Sequence, residues 1–217
     1  MCPDLFAPPR EINRWASHMT DMGSRSSNIV FLVGFIVYVT IRGVFERRAR
    51  INEKMVRRLD AVEKILLFFV GIGSLLLPVL YLFTPLLAFA DYRLPVFAPW
   101  LGTALMIAAL WLFYRSHADL GKNWSVTLEL HKGHQLIRRG IYRSIRHPMY
   151  LSILLWGLSQ GLLLRNWLAG WSALTTFSVL YVVRTPREER MMIEFFGEEY
   201  LNYMRQTGRI FPRIVGK

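Results

Sequence analysis

The run Ile65–Ala90 contains no charged residue and exceeds the roughly 20 apolar residues that cross the hydrocarbon core of a bilayer. Such a stretch is either a helix buried on all sides or a membrane span, and the neighbouring runs decide between them. Asn28–Phe45 is apolar apart from Thr40 and Arg42 near its end, and Leu94–Tyr114 supplies a third run. Met149–Leu164 and Trp167–Val183 follow, separated only by Arg165 and Asn166, which predicts a tight hairpin. Repeated runs in a chain that is 53% hydrophobic predict an all-α, multi-pass helical membrane protein with about five spans. Whether the hairpin helices fully cross stays open at this point.

The formal charge of +12 could indicate a nucleic-acid partner, but the cations are not distributed that way. Arg47, Arg48, Arg50, Lys54, Arg57, Arg58 and Lys64 lie between the first two spans. Arg115, Lys122, Lys132, Arg138, Arg139, Arg143 and Arg146 lie between the third and fourth, whereas the opposite loops hold only Arg93 and Arg165. The positive-inside rule then places the basic loops and the C-terminal tail in the cytoplasm, at a bacterial inner membrane or the endoplasmic reticulum. Membrane lipids are the expected surroundings, with no nucleic-acid partner. Cys2 is the one cysteine, so neither an internal disulfide nor a cysteine metal site is expected.

Met1–Ser27 is polar, contains Pro3, Pro8 and Pro9, and reads as loop or interfacial coil. It lacks the apolar core of a cleavable signal, so the first span is expected to direct its own insertion. Glu46–Lys64 mixes acids and bases, with Ile51, Met55, Leu59 and Val62 as an apolar stripe at helical spacing. Pro78 and Pro85 are expected to bend the second span. Pro186 suits the first turn of a C-terminal helix with Met191, Met192, Phe195 and Phe196 on one face, weakened at Gly197 and ended by Pro212.

The segment from Arg115 to His147 is long for a plain connector and is therefore a candidate for function. Arg146 and His147 stand at the mouth of the fourth span, and Arg184, Glu188 and Glu189 at the mouth after the fifth. A hairpin brings both sets to one side, where ionisable groups at membrane depth signal a site. Arginines and glutamates reaching for headgroups would give the same pattern at an ordinary boundary.

The order His134-x-Leu136-x-x-x-Gly140-x-Tyr142, Arg146-His147-Pro148-x-Tyr150, Arg184, Glu188-Glu189 and Phe196-Gly197-Glu198-Glu199-Tyr200 resembles the isoprenylcysteine carboxyl methyltransferase family. The resemblance covers Asn123 to Pro212, and the first three spans match only as hydrophobic helices. It implies a membrane enzyme that takes S-adenosylmethionine into a cytosol-facing pocket between the loop before the fourth helix and the C-terminal helix. His134, Gln135, Leu136, Ile137, Tyr142, Arg146, His147, Pro148, Met149 and Tyr150 would contact the cofactor. Glu188, with Glu189 as its understudy, would hold a polar part of it, and Thr127 falls at a further cofactor position. Arg184 would meet the carboxylate of a lipophilic substrate. The implied organisation is a polar segment 1–27, three spans over 28–114 with the basic loop 46–64, and a methyltransferase-like region 115–217. That region includes the hairpin 148–183 and a C-terminal amphipathic helix. Ser152 stands where many relatives have glycine, and Trp167 where eukaryotic members tend to have proline.

Methyl transfer to a carboxylate asks for little acid–base chemistry, because a group with a pKa near 4 is already ionised at neutral pH. Alignment and exclusion of water remain to be supplied. No His-Glu-x-x-His metal motif and no glycine-rich phosphate loop occur in the sequence. Other readings are a phospholipid N-methyltransferase, a nicotinamide-dependent membrane reductase of the sterol-reductase kind, and a non-enzymatic helical subunit that binds anionic lipid.

Overall fold

The computed structural model describes residues 10–49, 54–57, 60–121, 129–131 and 135–213. The architecture is helical. α1 spans Arg10–Ala49, α4 Ala98–Leu120, α5 Pro148–Leu163, α6 Trp167–Phe196 and α7 Glu198–Gln206. Between α1 and α4 lies one long helix in three parts: α2 over Ala61–Gly71, a π-helical turn over Ile72–Leu76, and α3 over Leu77–Phe83. A short antiparallel ladder joins the two basic loops, pairing β1 (Lys54–Arg57) with β2 (Glu129–His131).

Several local expectations change. Residues 10–27, expected as coil, are the first part of α1, because Pro3, Pro8 and Pro9 all precede Arg10 and no later proline interrupts the helix. Lys54–Arg57 is a strand rather than part of a helical stripe, its backbone groups being taken up by the partner at 129–131. Pro186 lies inside α6 instead of starting a new helix. One backbone bond is lost there, but the helix is held before it by Arg184 against Glu63 and after it by Arg187 against Asp60 and Glu189 against Arg146.

Pro78 explains the π turn. In a regular helix its ring would clash with the carbonyl four residues earlier, and a wider turn relieves that clash. The displaced Gly73 carbonyl is not left bare, since it accepts from Gln160 Nε2 at 3.0 Å and Ser172 Oγ at 2.7 Å. Glycine is required at 73, because a Cβ there would lie 2.8 Å from the Ser172 carbonyl oxygen. The helix ends at Thr84, short of the Ala90 expected from hydropathy, where Pro85 follows.

Two helices, Arg25–Arg48 and Ala61–Phe83, are long and apolar enough to cross a membrane, and Pro148–Leu163 is a shorter apolar helix. Only 17% and 11% of the residues in the most apolar windows of the first two are buried within the protein, so they are not core helices of a water-soluble fold. Ile29, Val33 and Ile36 on α1 and Phe68, Phe69 and Leu75 along the second helix are exposed, as lipid-facing side chains are. α5, with 16 residues, is about 24 Å long and by itself shorter than a bilayer core of roughly 30 Å. The interior is formed where α4, α5 and α6 meet, around Met106, Ala109, Trp156, Leu163 and Ala173, with Phe31 of α1 packed against them.

The polar groups gather at two ends. At one, Asn166 caps α6 by accepting from Leu168 N and Ala169 N, and it donates to the Leu87 carbonyl at 2.6 Å and Asp91 at 2.8 Å. Tyr92 N donates to the Arg165 carbonyl, so Arg93 and Arg165 share this end. At the other end Glu63 meets Arg184, Asp60 meets Arg187, and Arg146 meets the α7–C-terminal segment. Asn166 is wholly buried, and Asn166→Ala strands two amide donors and the groups on Leu87 and Asp91. That variant is expected to lose about 2–3 kcal/mol of stability in thermal or denaturant unfolding in detergent. An unchanged unfolding midpoint would show that the knot contributes nothing.

Candidate functional site

The polar end opens into a cavity of about 530 Å³, within the range of small-molecule sites. Its floor begins with the turn that follows Gly140. Gly140 has φ +59°, and a Cβ there would lie 2.1 Å from Asp119 Oδ2. That oxygen accepts from Ile141 N at 2.9 Å, which fixes the short 3₁₀ turn Gly140–Arg143 and buries Tyr142. The Gly-x-Tyr spacing is thus a backbone requirement: glycine for the left-handed position, tyrosine for the cavity wall. Tyr203 of α7 donates to the Tyr142 carbonyl at 2.6 Å and holds the turn from behind.

The next anchor is Glu189, on the part of α6 that passes beneath the loop. Its carboxylate accepts from Arg146 Nε at 3.1 Å and from Arg209 Nη2 at 2.7 Å, with His147 Nε2 at 3.3 Å. Arg146 also donates to the carbonyls of Met204, at 3.1 Å, and Thr207. The backbone repeats the tie: Arg146 N and His147 N donate to the carbonyls of Gly208 and Arg209, both at 2.8 Å. Gly208 cannot carry a side chain here, since a Cβ would lie 1.7 Å from the Phe211 carbonyl oxygen.

Glu188, one residue earlier and about 100° around the helix, turns into the cavity instead. It accepts from the Tyr150 hydroxyl, and the Tyr150 ring stacks on His147 with centroids 5.3 Å apart. Arg184, one turn back, also lines the cavity, its Nη1 lying 3.4 Å from Glu63 Oε1 of α2. Burial, then the charge of Glu188, pushes the Tyr142 hydroxyl well above its ordinary pKa, and burial pushes Tyr203 up to about 12. Both are neutral at physiological pH.

Of the residues expected at the site, Gln135, Leu136, Ile137, Tyr142, Arg146, His147, Met149, Tyr150, Arg184 and Glu188 all line the one cavity. Pro148 does not. It is buried at the start of α5, where a proline loses no helical bond. Glu189 also faces away, towards Arg146, Arg209 and His147. Thr127 and His134 lie outside the described residues.

The opposite walls come from helices that carried no motif. Phe35, Tyr38 and Arg42 of α1 and Val70 and Ser74 of the second helix close the cavity. Glu63 had a legible signal, since Asp60 accepts from Glu63 N at 2.8 Å and Asp-x-x-Glu before an apolar run marks a helix start. Arg209 had none, sitting in a tail without pattern.

Residues 100–194 match the family model described as the isoprenylcysteine carboxyl methyltransferase family. The similarity to that family is carried by this segment, somewhat less than half of the chain. A human protein-S-isoprenylcysteine O-methyltransferase is 34% identical over 98 residues, covering 44% of this chain and 34% of its own length. The Schizosaccharomyces pombe enzyme of the same name is 28% identical over 123 residues, covering 55% and 52%. The match therefore spans about a third to a half of these methyltransferases. A solved structure of the eukaryotic intramembrane Ras methyltransferase, isoprenylcysteine carboxyl methyltransferase, is similar with a TM-score of 0.47 and 22% identity, over 73% of this chain and 56% of that one.

The family segment includes both glutamates and ends before Arg209, so the clamp on Glu189 is completed from outside it. Burial alone would raise the Glu189 pKa, but hydrogen bonds from His147 and Arg209 and the charges of His147 and Arg146 together bring it down to about 2. A carboxyl depressed on folding stabilises the fold above its unfolded pKa of about 4.3, and that contribution disappears as pH falls towards 2. Unfolding in detergent should therefore show a wild-type advantage over Glu189→Gln at pH 6 that shrinks steadily between about pH 4.5 and 2. A difference independent of pH over that interval would contradict the charged clamp.

Proposed function

We propose that this chain is an integral-membrane, S-adenosylmethionine-dependent carboxyl O-methyltransferase acting on a lipid-like or prenylated carboxylate. The supporting observation is one cavity in which the polar groups of 135–150 and 184–188 continue directly into the apolar side chains of two lipid-exposed helices. A soluble substrate needs no such wall; a substrate with a hydrocarbon tail and a charged end needs both.

The residues suit the cofactor chemically. Glu188 offers a carboxylate to an ammonium or a sugar hydroxyl, and the faces of Tyr142 and Tyr150 suit an aromatic base or a cationic sulfur. Bound S-adenosylmethionine supplies a methyl group on a sulfonium, so that forming the O–C bond and breaking the C–S bond leaves a methyl ester and a neutral thioether. The protein's own part is to orient and to dry. Buried Tyr142 and Tyr150 and the side chains of Phe177, Leu180 and Met191 exclude water from the acceptor oxygen, which raises the reactivity of a carboxylate. No side chain has to remove a proton. Arg184 is proposed to meet the acceptor carboxylate, sharing with it the charge now offered to Glu63.

In the membrane, five crossings are proposed: α1, the α2–α3 helix, α4, and the hairpin of α5 and α6. The cavity end and the basic loops face the cytoplasm, and the end with Arg93 and Arg165 faces away. The carboxylate reading is favoured over an amine acceptor by the three arginines on the cavity wall, which would repel an ammonium substrate.

Purified protein incubated with its native membrane lipids and methyl-labelled S-adenosylmethionine should transfer label to a lipid fraction, and mild base should release that label as methanol. Arg184→Lys should lower turnover roughly ten- to a hundredfold while S-adenosylhomocysteine affinity stays within about twofold. Label stable to base would overturn the ester. Full turnover by the lysine variant would remove Arg184 from the acceptor site.

A further inference from the structure

Three arginines line the cavity, and the protein treats them differently. Arg146 is bound to Glu189 and to two backbone carbonyls. Arg184 faces Glu63. Arg42, on α1, makes no ion pair among the described residues. Tyr38, one turn earlier on α1, lines the cavity beside it. Glu46, one turn further along α1, does not line the cavity.

A cation kept in an apolar helix without an acid is costly, and an arginine near a helix end usually relieves that cost by reaching for headgroups. Arg47 and Arg48, more than a turn beyond, are exposed and suited to that role. Arg42 is half-buried and turned to the cavity instead. This wall is held from one side, since the Tyr38 ring stacks on Phe113 at 4.4 Å and lies 5.0 Å from Trp156. α1 thereby packs on α4 and α5, while the second helix packs on α6. Arg42 and Arg184 consequently stand on different walls of one cavity, each beside apolar side chains: Phe35 and Val39 next to Arg42, Leu180 next to Arg184.

We propose that Arg42 is a second acceptor-recognition residue: from the wall opposite Arg184 it also binds the carboxylate of the lipid-tailed substrate, whose chain lies along α1 and the second helix. This rests on the carboxyl methyltransferase reading above. The geometry gives the carboxylate a cation that no acid among the described residues already holds, with Tyr38 one turn away on the same wall and the hydrocarbon walls beginning within the same turn of helix. The carboxylate of the cofactor's amino-acid moiety has the same chemistry, and the test separates the two sources.

The test uses the full chain in detergent micelles with two probes, N-acetyl-S-farnesylcysteine as acceptor and its uncharged carboxamide as competitor. Wild type is expected to bind the acid at least roughly tenfold more tightly than the amide. Arg42→Gln should bring the two within about twofold by raising KM for the acid, with kcat changed less and S-adenosylhomocysteine affinity unchanged. Arg42→Lys should fall between them, because it keeps the charge and loses the planar fork. An Arg42→Gln protein that keeps the full preference for the acid overturns the proposal. So does one that loses S-adenosylhomocysteine but still binds 5′-methylthioadenosine, which lacks the amino-acid moiety; that result gives Arg42 to the cofactor. If the glutamine variant binds neither nucleoside, the lysine variant decides: a reduced acid preference supports the assignment and an undiminished one overturns it. A wild type that methylates no lipid carboxylate defeats the enzymatic reading itself and this assignment with it, whereas an active wild type with an indifferent Arg42 defeats only the assignment.

Discussion

The Glu189 carboxylate is the interaction on which the polar end depends. Three basic side chains from two distant stretches converge on it: Arg146 and His147 from the loop before α5, and Arg209 from the segment after α7. Replacing Glu189 by an apolar residue would leave the buried Arg146 side chain with only neutral acceptors, the Met204 and Thr207 carbonyls and the Thr207 hydroxyl, and an uncompensated buried charge is among the most destabilising defects known in proteins. The same carboxylate fixes the position of His147, hence of the Tyr150 ring stacked on it, hence of the Glu188 carboxylate that receives the Tyr150 hydroxyl. Two adjacent glutamates therefore divide the work. One holds the scaffold, and the other faces the cavity.

The rest of the cavity depends on helices that carry no motif. A π turn at Ile72–Leu76 lets a proline-containing helix pass against α6 with glycine at the contact, and the residues around that turn, Gly71, Ser74 and Leu75, form part of the wall. α1 supplies the other side through Phe35, Tyr38 and Arg42. These helices are also the ones with the most exposed apolar surface. Under the proposed function, a lipid-tailed substrate sharing their surroundings would meet the site along its own hydrocarbon.

Much of this was legible in the sequence where a single cause determines the outcome. Uncharged runs gave the helices, the loop cations grouped Arg93 with Arg165, and the ordered motif from Gln135 to Glu188 marked residues that do meet around one cavity. The misreadings occur where two causes compete. Pro186 is a helix breaker by local rule, but the packed face of α6 continues through it. Residues 10–27 are polar and lack a clear period, yet nothing after Pro9 prevents the helix from starting early. Lys54–Arg57 looks helical until its distant strand partner is known. Arg209 was missed as a member of the polar end because pairing across the fold leaves no trace in its segment, whereas the Asp60-x-x-Glu63 cap marks a helix start without showing that Glu63 meets Arg184.

Hydrogen exchange of the purified full chain, with and without S-adenosylhomocysteine, tests the central claim that the cavity at this end is the ligand site. The account predicts slowed exchange in 135–150 and in 184–192, with 84–97 and 164–167 unchanged, because the polar knot at the far end has no part in the cavity. Protection confined to the far end, or no protection anywhere under saturating ligand, would contradict it.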